Sequence, residues 1–151
     1  MFNDSRIDIY DYLAEKFKTV TANVYSMGEP TENTQSDVEN GFIVIRVGVM
    51  NDDSEFDGEA YGWARCTVTA YVPKKTRGRL NKELYKTFED GINGIIKQEQ
   101  QAQGEYYIAT DGVVSLDNDE TAQQGNQYHV FIKSFLVVID QPKVEQQQEQ
   151  V

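Results

Sequence analysis

The chain has 151 residues, with 25 acidic side chains against 14 Lys and Arg, and a formal charge of −11 at neutral pH. That length is the usual size of one domain and suffices to bury a core, while the acidic balance argues against a broad nucleic-acid groove, because affinity for phosphates comes from Lys and Arg. No apolar run approaches the roughly 20 residues of a membrane helix, and MFNDSRIDIYDYLAEKF lacks the basic-then-apolar pattern of a signal peptide, so a soluble protein made in a cytoplasm is expected.

From Ser5 to Lys18, Ile9, Tyr10, Leu13, Ala14 and Phe17 fall on one stripe, which predicts an amphipathic helix with Asp4 or Ser5 as its cap. TVTANVYSM reads as a short strand. Residues 28–41, rich in Pro, Asn, Ser and acids, predict a long exposed loop. FIVIRVGVM is a buried-strand pattern, NDDSEFDGE turns the chain, and AYGWARCTVTAYV alternates as the partner strand, so 42–72 predicts a hairpin with a wide acidic tip. Pro73 ends that strand. Leu80, Leu84, Tyr85, Phe88, Ile92, Ile95 and Ile96 then step by three and four, predicting a second helix to about Gln98 with Asn81 as cap. Gly91 and Gly94 inside it each cost about 1 kcal/mol against Ala, which suggests close packing on the sheet at those points, with a bend as the second reading.

Two further extended pieces lie at 106–116 and 127–139, separated by DNDETAQQGN. The predicted order is αβββαββ. It implies an α+β two-layer sandwich, a mainly antiparallel sheet of about five strands with two helices on one face. The domain is expected over residues 1–140, and 141–151 (QPKVEQQQEQV) reads as a polar C-terminal tail.

Motifs for chemistry are sparse. His129 is the sole histidine and sits inside an alternating strand, with no triad spacing and no second zinc ligand. Cys66, the sole cysteine, reads as a packed strand residue. Neither a Gly-Lys-Ser/Thr phosphate loop nor a G-x-G-x-x-G fingerprint occurs. Asp53, Glu55, Asp57 and Gly58 imitate the start of a calcium loop, but Ala64 stands where a bidentate Glu is needed, so a solvated hairpin tip is the preferred reading.

The informative feature is charge polarity. Residues 74–86 hold Lys74, Lys75, Arg77, Arg79, Lys82 and Lys86 against Glu83, a net +5, which leaves −16 on the rest of the chain. Tyr85 and Phe88 lie on the helix's apolar stripe and are needed in the core, so no aromatic platform remains for stacking on bases. A loop that meets acids on a neighbouring protein, in a head-to-tail contact between copies, fits the charge better, with a merely solvated loop as the equal alternative.

The succession of an N-terminal helix, a long loop, a hairpin ending in VTAYVPK, the helix LNKELYKTFEDGINGII and the strand QYHVFIKSFLVVID resembles the tail terminator and tail-completion proteins of tailed bacteriophages, over roughly Ser5 to Asp140. The resemblance implies a non-enzymatic virion protein, without cofactor or metal, made in the host bacterial cytoplasm. It would form a homo-oligomeric ring of six or twelve copies at the head-to-tail neck, against portal, connector or tail proteins. DNA would pass its lumen without specific binding, and no membrane is involved. Carried over, loops 28–41, 51–59 and 73–79 make contacts. Lys74, Lys75, Arg77, Arg79 and Lys82 are expected at a subunit or ring interface, and Asp52, Asp53, Glu55, Asp57 and Glu59 at loop contacts or the lumen. The competing expectation is a small acidic phage protein that inhibits a host nucleic-acid-binding protein or mimics DNA.

Overall fold

A computed structural model describes residues 6–28, 30–52, 60–116 and 127–141. Seven strands in those segments form one mixed, mainly antiparallel sheet. They are β1 (Val24–Ser26), β2 (Phe42–Val47), β3 (Asn51–Asp52), β4 (Ala60–Pro73), β5 (Tyr106–Ile108), β6 (Val114–Leu116) and β7 (Tyr128–Gln141). β3 continues the β2 lane along β4, and β5 and β6 share the outer edge of β7, so the sheet has five lanes. This is the expected α+β sandwich. Its spine is the β4–β7 ladder, fourteen residues on each side from Ala60↔Gln141 to Pro73↔Tyr128, roughly 45 Å at the usual rise per residue.

Both anticipated helices cover one face. α1 (Arg6–Phe17) buries Ile9, Tyr10, Leu13 and Phe17, and α3 (Lys82–Glu99) buries Phe88, Ile92 and Ile96. They close over Ile43, Ile45, Val47, Cys66, Val68, Phe135 and Val137, every second residue of the central strands, as the pleat requires. The helices are tied to each other by Tyr12, whose hydroxyl donates to Glu99 Oε1 at 2.5 Å while its ring stacks on Tyr106 at 5.1 Å. Lys16 stands 3.6 Å from the other oxygen of Glu99. Asn81 caps α3 as expected, accepting from the Leu84 amide at 3.2 Å. The candidate caps of α1, Asp4 and Ser5, lie outside the described residues.

The structure departs from the sequence reading in three places on this framework, the first being that the extended piece expected at 106–116 is two short strands, β5 and β6, separated by residues 109–113. A short helix, α2 (Gln35–Asn40), stands within the segment read as a loop, and it carries the chain from β1 into a parallel pairing with β2. The glycines of α3 also differ from each other. A Cβ on Gly91 would stand 2.8 Å from Val20 Cγ2, a close approach to the α1–β1 connection and not to the sheet, whereas one on Gly94 would meet nothing within 4 Å.

α2 lies over the opposite face, where a second cluster forms from Phe42, Val44, Tyr71, Tyr128 and Val130. Phe42 stacks on Tyr71 at 4.4 Å, and Tyr128 meets both rings edge-on. Asp37 is fully buried and holds this lid: the Tyr25 hydroxyl donates to both its oxygens at 2.9 and 2.8 Å, and the Thr34 amide donates to Oδ2 at 2.9 Å. The Asp37 amide in turn donates to Thr34 Oγ1, completing a capping box. Gly41 ends α2 at φ 81°, and a Cβ there would stand 2.5 Å from the Tyr71 carbonyl oxygen, so the tight exit from α2 onto β2 requires glycine.

Candidate interaction surfaces

Pro73 cannot extend the ladder beyond β4, and the chain turns there into the basic loop. The loop is internally built: the Lys75 amide donates to the Arg79 carbonyl at 2.8 Å and the Gly78 amide to the Lys75 carbonyl at 3.0 Å. Arg77 at φ 65° and Gly78 at φ 74° occupy the left-handed region that permits so tight a turn. The Lys74 amide donates to the Gln127 carbonyl at 3.0 Å, which fixes the loop to the start of β7.

The loop is therefore a shaped element. Lys75, Arg77, Arg79 and Lys82 are exposed and Lys74 is half-buried, and none of the five makes an ion pair among the described residues. Lys86, one turn into α3, does pair, with Asp90 at 3.3 Å, and that exposed contact is weak. Between the loop and α2 lies a cavity of about 310 Å³, lined by Val38, Lys74, Lys75, Gly78, Gln127 and Tyr128. The structure thus brings Lys74 and Lys75 to one cavity and spreads Arg77, Arg79 and Lys82 over the surrounding surface.

Of the acidic candidates, only Asp52 is placed, toward the other end of the spine. Asp52 closes β3 opposite Gly62, and Asp53, Glu55, Asp57 and Glu59 lie outside the described residues, as do 117–120 and the tail beyond Gln141. The basic loop and Asp52 are thus held at opposite ends of a stiff two-stranded ladder.

His129 sits opposite Val72 near the basic loop. Burial, and secondarily the charge of Lys74, push its imidazole below the usual histidine range. Burial pushes the Cys66 thiol up to about 12, and the thiol donates to the Ala64 carbonyl at 3.6 Å, so it stays protonated and inert. Among the described residues no three His, Cys, Asp or Glu side chains gather as a metal site, and no helix is long and apolar enough to cross a membrane.

A second cationic feature escaped the sequence reading. β1 stops at Ser26, which leaves the Val47 edge of β2 open, and α1 caps it: Arg6 donates to the Val47 carbonyl at 3.2 and 2.7 Å, and the Val47 amide donates to the Tyr10 hydroxyl at 3.0 Å. Beside that edge Arg6, Arg46 and Arg65 line one cleft of about 360 Å³, with Thr67 in its floor and Met27, 61% exposed, at its rim. Arg65 is held by the Gly112 carbonyl at 3.2 Å and Ser134 Oγ at 2.9 Å. Arg46 and Arg65 interrupt otherwise apolar or small-residue strands, which is a readable signal, but their convergence depends on the register Arg46↔Thr67.

No protein-family model matches the chain, and no curated protein matches it in sequence.

Proposed function

We propose that this chain is a structural subunit that assembles with copies of itself into a ring at the head-to-tail neck of a tailed bacteriophage, as a tail terminator or connector ring. One observation carries the reading. Five cations, Lys74, Lys75, Arg77, Arg79 and Lys82, are gathered at one end of the sheet of a −11 chain, with no acidic partner among the described residues. A surface charge left unpaired on a rigid loop, while the rest of the chain carries −16, is suited to meeting acids on another molecule. The resemblance in element order supplies the kind of assembly. Asp52 lies toward the opposite end of the sheet, and the acidic stretch that follows it in sequence is the candidate for a contact of complementary sign or for an acidic lumen that does not hold DNA phosphates.

In this reading a head-to-tail contact between copies is heterologous and closes into a ring of six or twelve when its rotation allows. Portal, connector or tail proteins would stack above and below, and the site of action is the virion. The test is electron microscopy of the purified protein and of particles, together with the variant Lys74→Glu/Lys75→Glu/Arg77→Glu/Arg79→Glu. Closed rings from the wild type and none from the variant are expected. A variant that assembles and enters particles normally removes the basic loop from the interface.

A further inference from the structure

We propose that the cleft of Arg6, Arg46 and Arg65 is a second, separate contact site that receives carboxylates of another copy of this chain. The inference rests on the self-assembly proposed above, but not on the basic loop.

The geometry carries it in three steps. The cleft is pre-shaped: Arg6 is anchored on the Val47 carbonyl and Arg65 on Ser134 and the Gly112 carbonyl, so two guanidinium groups are fixed in place before anything binds. Fixed forks lose little freedom on meeting a carboxylate, and arginine can bind one through two parallel hydrogen bonds. Next, the charge is uncompensated. None of the three guanidinium groups touches a carboxylate among the described residues, and that of the exposed Arg46 has no hydrogen-bonding partner among them. Finally, the surroundings suit a protein partner. The part of the sheet beside the cleft that no described helix covers presents half-buried Trp63, Leu136 and Val138, with Met27 on the rim. Arginine set among aromatic and apolar side chains is the composition of an interface centre.

The occupant follows from charge complementarity. A cluster of three like charges needs negative charge opposite it, and a chain with 25 Asp and Glu against 14 Lys and Arg supplies that from its own copies. The site lies on the open sheet face and the β2 edge, away from the loop at Lys74–Arg79, so one subunit would offer two cationic contacts.

Arg46→Glu is the decisive variant, because the Arg46 side chain is exposed and has no partner among the described residues. Self-association followed by sedimentation should weaken about thirtyfold or more, while the thermal midpoint of dilute, unassembled protein stays at the wild-type value. Arg46→Lys, which keeps the charge and loses the fork, should fall between the two. The Trp63 emission shift expected on assembly should be lost in parallel.

Wild-type assembly by Arg46→Glu overturns the inference. If the four-residue loop variant fails in the same assay, the basic-loop reading stands without it. Assembly by the loop variant but not by Arg46→Glu leaves the cleft and removes the loop. A lowered midpoint of dilute Arg46→Glu overturns the inference by showing that the chain's own carboxylates close the cleft. So does inorganic phosphate that shifts the arginine side-chain resonances while Arg46→Glu assembles normally, because the site then serves a free anion. A wild type that stays monomeric at every concentration and in particles removes both readings.

Discussion

The two faces of the sheet are sealed by different physics. One is closed by α1 and α3 mainly through apolar burial over the full width of the core, with Ile9, Leu13, Phe17, Ile92 and Phe135 all fully buried and with Tyr12–Glu99 and Tyr10–Val47 as polar ties at its margins. The other is closed at one end by the single turn-and-a-half of α2, and there polar groups do the holding: a buried carboxylate, two tyrosine hydroxyls and a capping box. Beyond α2 no described helix covers that face, and it is there that Arg46 and Arg65 emerge. A helix long enough to supply an apolar stripe depends little on its polar contacts for its position. A helix of six residues has too little apolar surface, so its position depends on hydrogen bonds that have to be satisfied together.

That contrast is broken most strongly by a cavity on the sealed face. Phe135→Ala should cost about 4 kcal/mol, because a large, fully buried ring leaves a void that α1 and α3 cannot collapse into. Asp37→Ala on the other face should cost about 2 kcal/mol, since the Tyr25 hydroxyl and the Thr34 amide lose their acceptor and α2 loses its capping box. Denaturant unfolding followed by Trp63 fluorescence measures both. Equal losses would mean that α2 is as tightly bound to the sheet as α1 and α3.

The sealed face was legible in the sequence because it obeys simple periods. The stripe Ile9, Tyr10, Leu13, Phe17 and the steps from Leu84 to Ile96 are read directly at helical spacing, and AYGWARCTVTAYV at strand spacing. The latched face was not. α2 offers one apolar residue, Val38, to a periodicity search, and its real signal, Thr34 with Asp37 three positions on, is a capping box in a segment whose Pro, Asn and acids announce a loop. The basic loop was legible as charge. The arginine cleft was not, because Arg6, Arg46 and Arg65 meet only through the register of β2 on β4 and the end of β1, neither of which is a local property of the sequence.

A smaller effect distinguishes the two glycines of α3 and so tests how close the helix comes to its neighbours. Gly94→Ala should stabilise by about 0.5–1 kcal/mol, the helix-propensity gain with no atom in the way. Gly91→Ala should give the opposite sign, because its methyl would press on Val20 and α3 would have to move off the α1–β1 connection. The pair shares sequence context and helix, so the difference in thermal midpoint isolates the contact.

The smallest expected effect lies where the sealed face meets the basic end. His129 is neutral-favouring in the folded chain, held below its ordinary value of 6.5 by burial first and by the Lys74 charge second. Because the unfolded chain takes up that proton more readily than the folded one, stability is unaffected above about pH 6.5 and is lost as pH falls below it toward the folded value. Carboxylates impose their own loss lower down, so the informative quantity is the difference between wild type and His129→Gln, which cannot titrate in this window. The variant should lose less stability than wild type between pH 7 and pH 5.5. Adding Lys74→Gln to the wild type should shrink the loss only partly, since burial, the larger cause, is untouched. A Lys74→Gln profile that coincides with that of His129→Gln would mean that charge and not burial depresses the imidazole, and that the basic loop presses on the core more closely than its hydrogen bond to Gln127 requires.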